Sequence, residues 1–450
     1  MLQDSVNMDI KRNDVVLTLA LGALLFSAFT SGLSVDIGPV TITLSHVCML
    51  LLIGHALLYA AMSRYRVPVL YRDDVSFLLY LFVLSNLFSS TLFAANRFYS
   101  LKACGPLVAG VLMYTAARTG IRMLRDLNGS ISKFTFFNQV SAAFGLVCML
   151  LAMITGVENR GVSFDHLAIG MSTLGGLVPP SIQGLAVEPN LFSIGTAAVL
   201  CLPLGRYLLG ERRQHALTWI LIMGFSILFA YTRSVYGAMV VVMVVLMVLA
   251  KQTTVIKRVV LFGTITLAIV LVIGWTLPAD HPARKAFEER IATLVDFKGG
   301  TGGGRVQGYL LAWESFLDRP ILGKGTLSAD TEVYNPYVGQ YQERMGGRGW
   351  LTGSGIQALH DTGIVGFVIL MSLFGLTLWK NFKAFKQLPP GDWHRGIALG
   401  FLGGNLVILI TSQLSSPLWT AFPYIFWAVN MEFLAACKVK INSPALKAAP

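Results

Sequence analysis

Residues 231–246 read YTRSVYGAMVVVMVVL: one arginine at a turn, then an apolar run that carries no charge from 235 to 250. Apolar runs of this kind are long enough, at about 20 residues, to cross a hydrocarbon core of roughly 30 Å as helices. A helix also satisfies its own backbone polar groups there, which an irregular chain cannot do. The same pattern repeats along the 450 residues, of which 54% are hydrophobic and only 13% charged. That balance excludes a water-soluble globular domain and predicts an all-α integral membrane protein.

About twelve such runs are expected, at 15–34, 40–62, 75–95, 98–117, 134–156, 189–209, 216–233, 235–250, 258–277, 361–379, 396–413 and 417–437. The first follows Lys11 and Arg12, is too long for the apolar core of a signal peptide, and is read as an anchor. Short loops rich in Lys and Arg stay in the cytoplasm. With the N-terminus inside, the inner segments collect Arg64, Arg66 and Arg72, then Arg118, Arg122 and Arg125, and later Lys380, Lys383, Lys386, Lys438 and Lys440. The shorter outer loops hold only Arg97, Arg160 and Arg233. Both termini are therefore expected inside. A small loop at 157–188 and a large one at 278–360 are expected outside, on one polytopic membrane domain spanning 1–450.

The net charge of +12 is spread over many inner loops instead of one stripe, which argues against nucleic-acid binding. The five cysteines fall in or beside apolar runs and show no metal-ligand spacing.

The large outer loop contains GGTGGGRVQGYLLAWESFLDRP at 299–320. After Arg305 the apolar residues Val306, Tyr309, Leu310, Trp313, Phe316 and Leu317 fall on one helical stripe, which Arg319-Pro320 ends. Such a helix lies on the membrane surface or docks its stripe on the bundle, and either placement holds Arg305 near the headgroups. The glycine run lacks the Gly-Lys-Ser/Thr end of a nucleotide-binding loop.

Three residues share the outer face at that depth: Arg233, Arg305 and His360. Two guanidinium forks suit a phosphate or pyrophosphate, and a histidine suits proton transfer near neutral pH. The plainer readings are an interfacial arginine for Arg233, an ion pair with Glu314 or Asp318 for Arg305, and a helix cap shared with Asp361 for His360. Lys102, Arg160 and Glu188 are secondary substrate-contact candidates. Each has a plainer alternative: snorkelling for Lys102, a surface role for Arg160, and a cap for the helix that starts at Pro189 for Glu188.

Taken in order, EPNLFSIGTAAVL, YTRSVYGAMVVVMVVL, GGRVQGYLLAWESFLDRPILGKGT and LHDTGIVGFVILM resemble the O-antigen ligase and O-antigen polymerase superfamily of bacterial membranes, and most of all an O-antigen ligase. The resemblance covers roughly 186–380. It implies a glycosyltransferase of the GT-C type in the inner membrane, with a periplasmic active site and an undecaprenyl-diphosphate-linked glycan as donor. It also implies His360 as general base, Arg233 and Arg305 on the diphosphate, and no cofactor or metal, in keeping with the lack of an outer Asp-x-Asp motif. The acceptor would be lipid A-core for a ligase, another lipid-linked repeat for a polymerase, or a protein for an oligosaccharyltransferase. The alternative from another class is an anion transporter. A transporter places ionisable residues and broken helices near the bilayer midplane, whereas the charges here gather at the outer surface and mid-span positions are nearly free of carboxylates.

Overall fold

The computed structural model describes residues 15–30, 34–37, 40–63, 71–155, 162–163, 181–186, 188–211, 216–252, 276, 278, 309–310, 312–327 and 353–443. Residues 258–275 and 277 of the run expected at 258–277, Arg160, Arg305 and the glycine-rich lead-in lie outside them.

The described chain is a helical bundle with two short antiparallel strand pairs. Its helices are α1 (Val15–Ser27), α2 (Leu44–Ser63), α3 (Asp74–Leu92), α4 (Arg97–Ala103), α5 (Gly105–Leu124) and α6 (Leu127–Thr155). They continue as α7 (Pro189–Leu208), α8 (Ala216–Phe229), α9 (Arg233–Leu249), α10 (Ser354–Gln387), α11 (Trp393–Ser412) and α12 (Ala421–Ile441). Strands β1 (Ser34–Ile37) and β2 (Val40–Thr43) pair with Ser34 opposite Thr43, and β3 (Val162–Ser163) pairs with β4 (Ser181–Ile182).

Six of the described helical stretches are long and apolar enough to cross a membrane: α3, the stretch Arg97–Leu124, α6, α7, α10 and α11. Apolar stretches in α1, α2, α8 and α9 are shorter. The helices do not coincide with the apolar runs. The first helix stops at Ser27, and the start of the second run is strand β2. Helix α10 starts at Ser354, seven residues before the run expected at 361. Arg118, expected in an inner loop, is inside α5 and 2% exposed. Hydropathy reports the apolarity of a stretch and not its backbone conformation, so the ends of helix and run need not agree.

Large apolar side chains stand exposed along the helices, among them Phe77, Leu84, Phe88, Leu150 and Val240. Such an outer surface is stable against lipid and not against water. The tightest packing joins α7 to α11. Gly396, Gly400 and Gly404 recur every fourth residue, and a Cβ built on them would meet Arg206 Cα at 2.8 Å, Leu202 Cα at 2.6 Å and Ala198 O at 2.7 Å. Small residues at this spacing let two helix backbones approach where no hydrophobic effect drives them together. Helix α11 also contacts α9 and α10, α10 packs on α3, and α12 packs on α5.

Candidate active site

The longest helix is broken where the sequence reads HDTG. Gly363 takes φ 64°, ψ −158°, a backbone region open essentially to glycine alone. Beyond the break, the amides of Ile364 and Val365 donate to the carbonyls of Pro320 and Ile321, at 2.8 and 3.3 Å. Before it, the carbonyls of His360 and Asp361 accept from the amides of Lys324 and Gly325, each at 3.0 Å. The segment 320–325 thus lies in the break and takes up the hydrogen bonds the helix gives up. Unpaired backbone groups at membrane depth cost several kcal/mol each, so the break depends on this segment being there. A Cβ on Gly323 would sit 2.4 Å from Asp361 C, and one on Gly363 would sit 2.5 Å from Ile321 C. Only hydrogen fits at either place.

The same segment is clasped from α3 and α4. Ser89 Oγ lies 2.6 Å from the carbonyls of both Leu322 and Asp361, and Ser100 Oγ donates to Thr326 O at 2.7 Å. Thr326 closes the network, its amide on Ser90 Oγ and its hydroxyl on Asn86 Oδ1, each at 3.0 Å.

His360 lies in this knot with 0% of its surface exposed. Its Nδ1 is 2.8 Å from Asp361 Oδ1. That oxygen also accepts from Gln357 Nε2 at 2.8 Å and from the Leu327 amide at 3.2 Å. A carboxylate oxygen gathering donors fixes the imidazole proton on Nδ1 and leaves the Nε2 lone pair open. Among the described residues, neither His360 Nε2 nor Asp361 Oδ2 has a hydrogen-bond partner. Buried polar atoms are nearly always paired, so an orphaned imidazole nitrogen leaves room for one more hydrogen-bond donor.

The other sequence candidates are distributed as follows. Arg233 is exposed at the first position of α9, after Thr232 as N-cap and Tyr231 with φ 52°. Helices α9 and α10 share α11 as a neighbour. Glu188 holds the N-cap position of α7 but makes no side-chain cap bond, and burial pushes its carboxyl above the usual carboxylate range. Lys102 is exposed on α4, two residues from the Ser100 that holds Thr326. Asp318, a suggested partner of Arg305, is taken by Lys324 at 3.0 Å.

The amphipathic stripe is only partly where docking on the bundle would put it. Ala312 and Ser315 face inward, while Leu310, Trp313 and Leu317 are 51–60% exposed, the arrangement expected for an interfacial helix. His360 stands inside α10, not at its start, so it does not cap that helix. Sequence reasoning missed Gln357, the direct bond of Asp361 to His360, and the seating of residues 320–327 in the helix break. The signals were present in the i, i+4 spacing of Gln357 and Asp361 and in the glycines of LGKG.

The fold and this site define a multi-pass, all-α membrane protein with a buried polar cluster built into a broken helix. Residues 218–371 match the family model described as Wzy_C, O-antigen ligase. The matched segment contains Arg233, the 320–327 segment and His360, so this part of the chain is similar to the O-antigen ligase family. No curated protein matches the chain.

Proposed function

We propose that the protein is an O-antigen ligase of the bacterial inner membrane. It moves a polysaccharide from undecaprenyl diphosphate to a hydroxyl of lipid A-core on the periplasmic side, with both termini in the cytoplasm. The single observation that carries this reading is the buried His360–Asp361 pair with an open Nε2, set inside a matched O-antigen ligase domain.

In this reading Asp361 holds His360 with its proton on Nδ1. The Nε2 lone pair takes the proton of the acceptor hydroxyl as that oxygen attacks the anomeric carbon of the donor sugar. The bond from that carbon to the diphosphate oxygen breaks, and the electron pair leaves with undecaprenyl diphosphate. Charge grows on the departing phosphate, and the guanidinium forks of Arg233 and Arg305 stabilise it there. The fixed charge of arginine supplies the positive charge that a metal ion would otherwise bring to the leaving diphosphate. His360 is fully enclosed, so the acceptor reaches Nε2 only by parting the packing around it. Glu188, Lys102 and Arg160 remain candidates for glycan or diphosphate contact.

The test is a reaction of purified protein with an undecaprenyl-diphosphate glycan and, separately, lipid A-core, a second lipid-linked repeat, or a protein acceptor. Transfer to lipid A-core alone supports the ligase. Transfer only to a lipid-linked repeat makes the protein a polymerase of the same superfamily, and transfer to none of them, with anion uptake in liposomes, makes it a transporter.

A further inference from the structure

At the end of the bundle opposite His360, a cleft of about 600 Å³ opens between the end of α10, the end of α12 and the start of α3. Lys380 follows His360 by 20 residues, which as helix is roughly 30 Å, one hydrocarbon thickness. The cleft therefore lies at the headgroup level of the other leaflet.

Arg72, Arg118, Arg122, Lys380, Lys383 and Lys438 line it, with Asp73 as the one acidic lining residue among the described residues. Three carboxylates answer these six cations. Arg118 bonds Asp73 through Nη1 and Glu432 through Nε, each at 2.6 Å, and lies 3.9 Å from the ring centre of Tyr71. Lys380 pairs with Asp74 at 3.0 Å. Arg122 is held through Nε alone, 2.7 Å from Glu432, and stacks on the same Tyr71 at 4.6 Å. Its side chain is 43% exposed. Leu434 and Ile441 add an apolar wall beside these charges.

We propose that this cleft binds the phosphate-bearing headgroup of an anionic phospholipid. An unbalanced cluster of cations draws an anion. Stacking on Tyr71 and the bond to Glu432 hold the part-exposed Arg122 guanidinium in a fixed orientation in the cleft, and a fixed guanidinium suits phosphate oxygens. Basic pockets between membrane helices at the headgroup level take such lipids, and the apolar wall gives the acyl chains a surface that a free phosphate ion would not use.

The experiment measures Tm of the purified full-length protein in nanodiscs of phosphatidylcholine with and without phosphatidylglycerol, and in the former with added inorganic phosphate. Phosphatidylglycerol should raise Tm by a few degrees, and inorganic phosphate should not. The rise should vanish in Arg122→Gln and in the double variant Lys383→Gln, Lys438→Gln. The latter changes only exposed side chains and stays informative if Arg122→Gln fails to fold. No rise in the unaltered protein, an equal rise in the double variant, or a full rise from inorganic phosphate with none added by phosphatidylglycerol would overturn the proposal.

Discussion

Asp361 Oδ1 lies 2.8 Å from His360 Nδ1, and the same oxygen accepts from Gln357 and from the Leu327 amide. Three donors on one carboxylate oxygen make Asp361 the residue that positions the histidine. The variant Asp361→Asn keeps the volume but presents an amide to Nδ1, so the imidazole loses its enforced tautomer. Transfer should fall in kcat by roughly 10²–10⁴-fold, with KM for donor and acceptor unchanged. Steady-state kinetics with both substrates varied checks this split. A rise in KM with kcat intact would assign Asp361 to binding instead.

The break at Gly363 and the loop that fills it should fail together. Gly363→Ala puts a side chain into a backbone conformation that costs about 1–3 kcal/mol, and its Cβ meets Ile321 as well. Gly323→Ala presses on Asp361 from the other strand of the same junction. Both should lower Tm and transfer. Gly224→Ala, in α8 with no atom within 4 Å of the added Cβ, should instead be neutral or stabilising by up to about 1 kcal/mol. Thermal denaturation of the three variants side by side is the check.

The buried Arg118 depends on its two carboxylates. Glu432→Gln leaves it half compensated and should cost about 3–5 kcal/mol. Asp73 adds a pH dependence. Burial by itself would raise its carboxyl, but the Arg118 guanidinium and the hydrogen bonds from Ser76 hold it below the usual value. A carboxyl lowered in the folded state stabilises the protein above the unfolded pKa of about 3.9, and that contribution is lost as pH falls through the folded value. Asp73→Asn should therefore be less stable than the unaltered protein at neutral pH, and the difference should shrink on acidification below about pH 4. Tm measured against pH for both proteins reads this directly.

If the arginines hold the diphosphate, Arg233→Ala and Arg305→Ala should each lower kcat/KM for the lipid-linked donor by roughly 10- to 100-fold without changing KM for the acceptor. Arg233→Lys should recover only part, because a lysine restores the charge and not the fork. Donor titrations at saturating acceptor decide it.

Much of this was legible in the sequence. Apolar runs pointed to an all-α membrane protein, with six of the described helical stretches long and apolar enough to span, and the order of RS, RPILGKG and HDTG pointed to the segment that the family model then matched. The break in α10 was hidden because hydropathy stays apolar straight through Gly363, while the cause lies in carbonyls some forty residues upstream. The His360–Asp361 bond was hidden because neighbours at i and i+1 on a regular helix do not face each other; here the helix ends just past them. Glu432 is buried in α12 and shared by Arg118 and Arg122. Sequence could not pair it with residues more than 300 positions away. The glycines of α11 read as composition until α7 was found lying against them.

The most direct measurement is glycan transfer from an undecaprenyl-diphosphate donor to lipid A-core by purified His360→Ala, beside unaltered protein of the same Tm. The account predicts no transfer above background with donor binding retained. Turnover by His360→Ala at the unaltered rate would show that the open Nε2 takes no proton and would end the assignment.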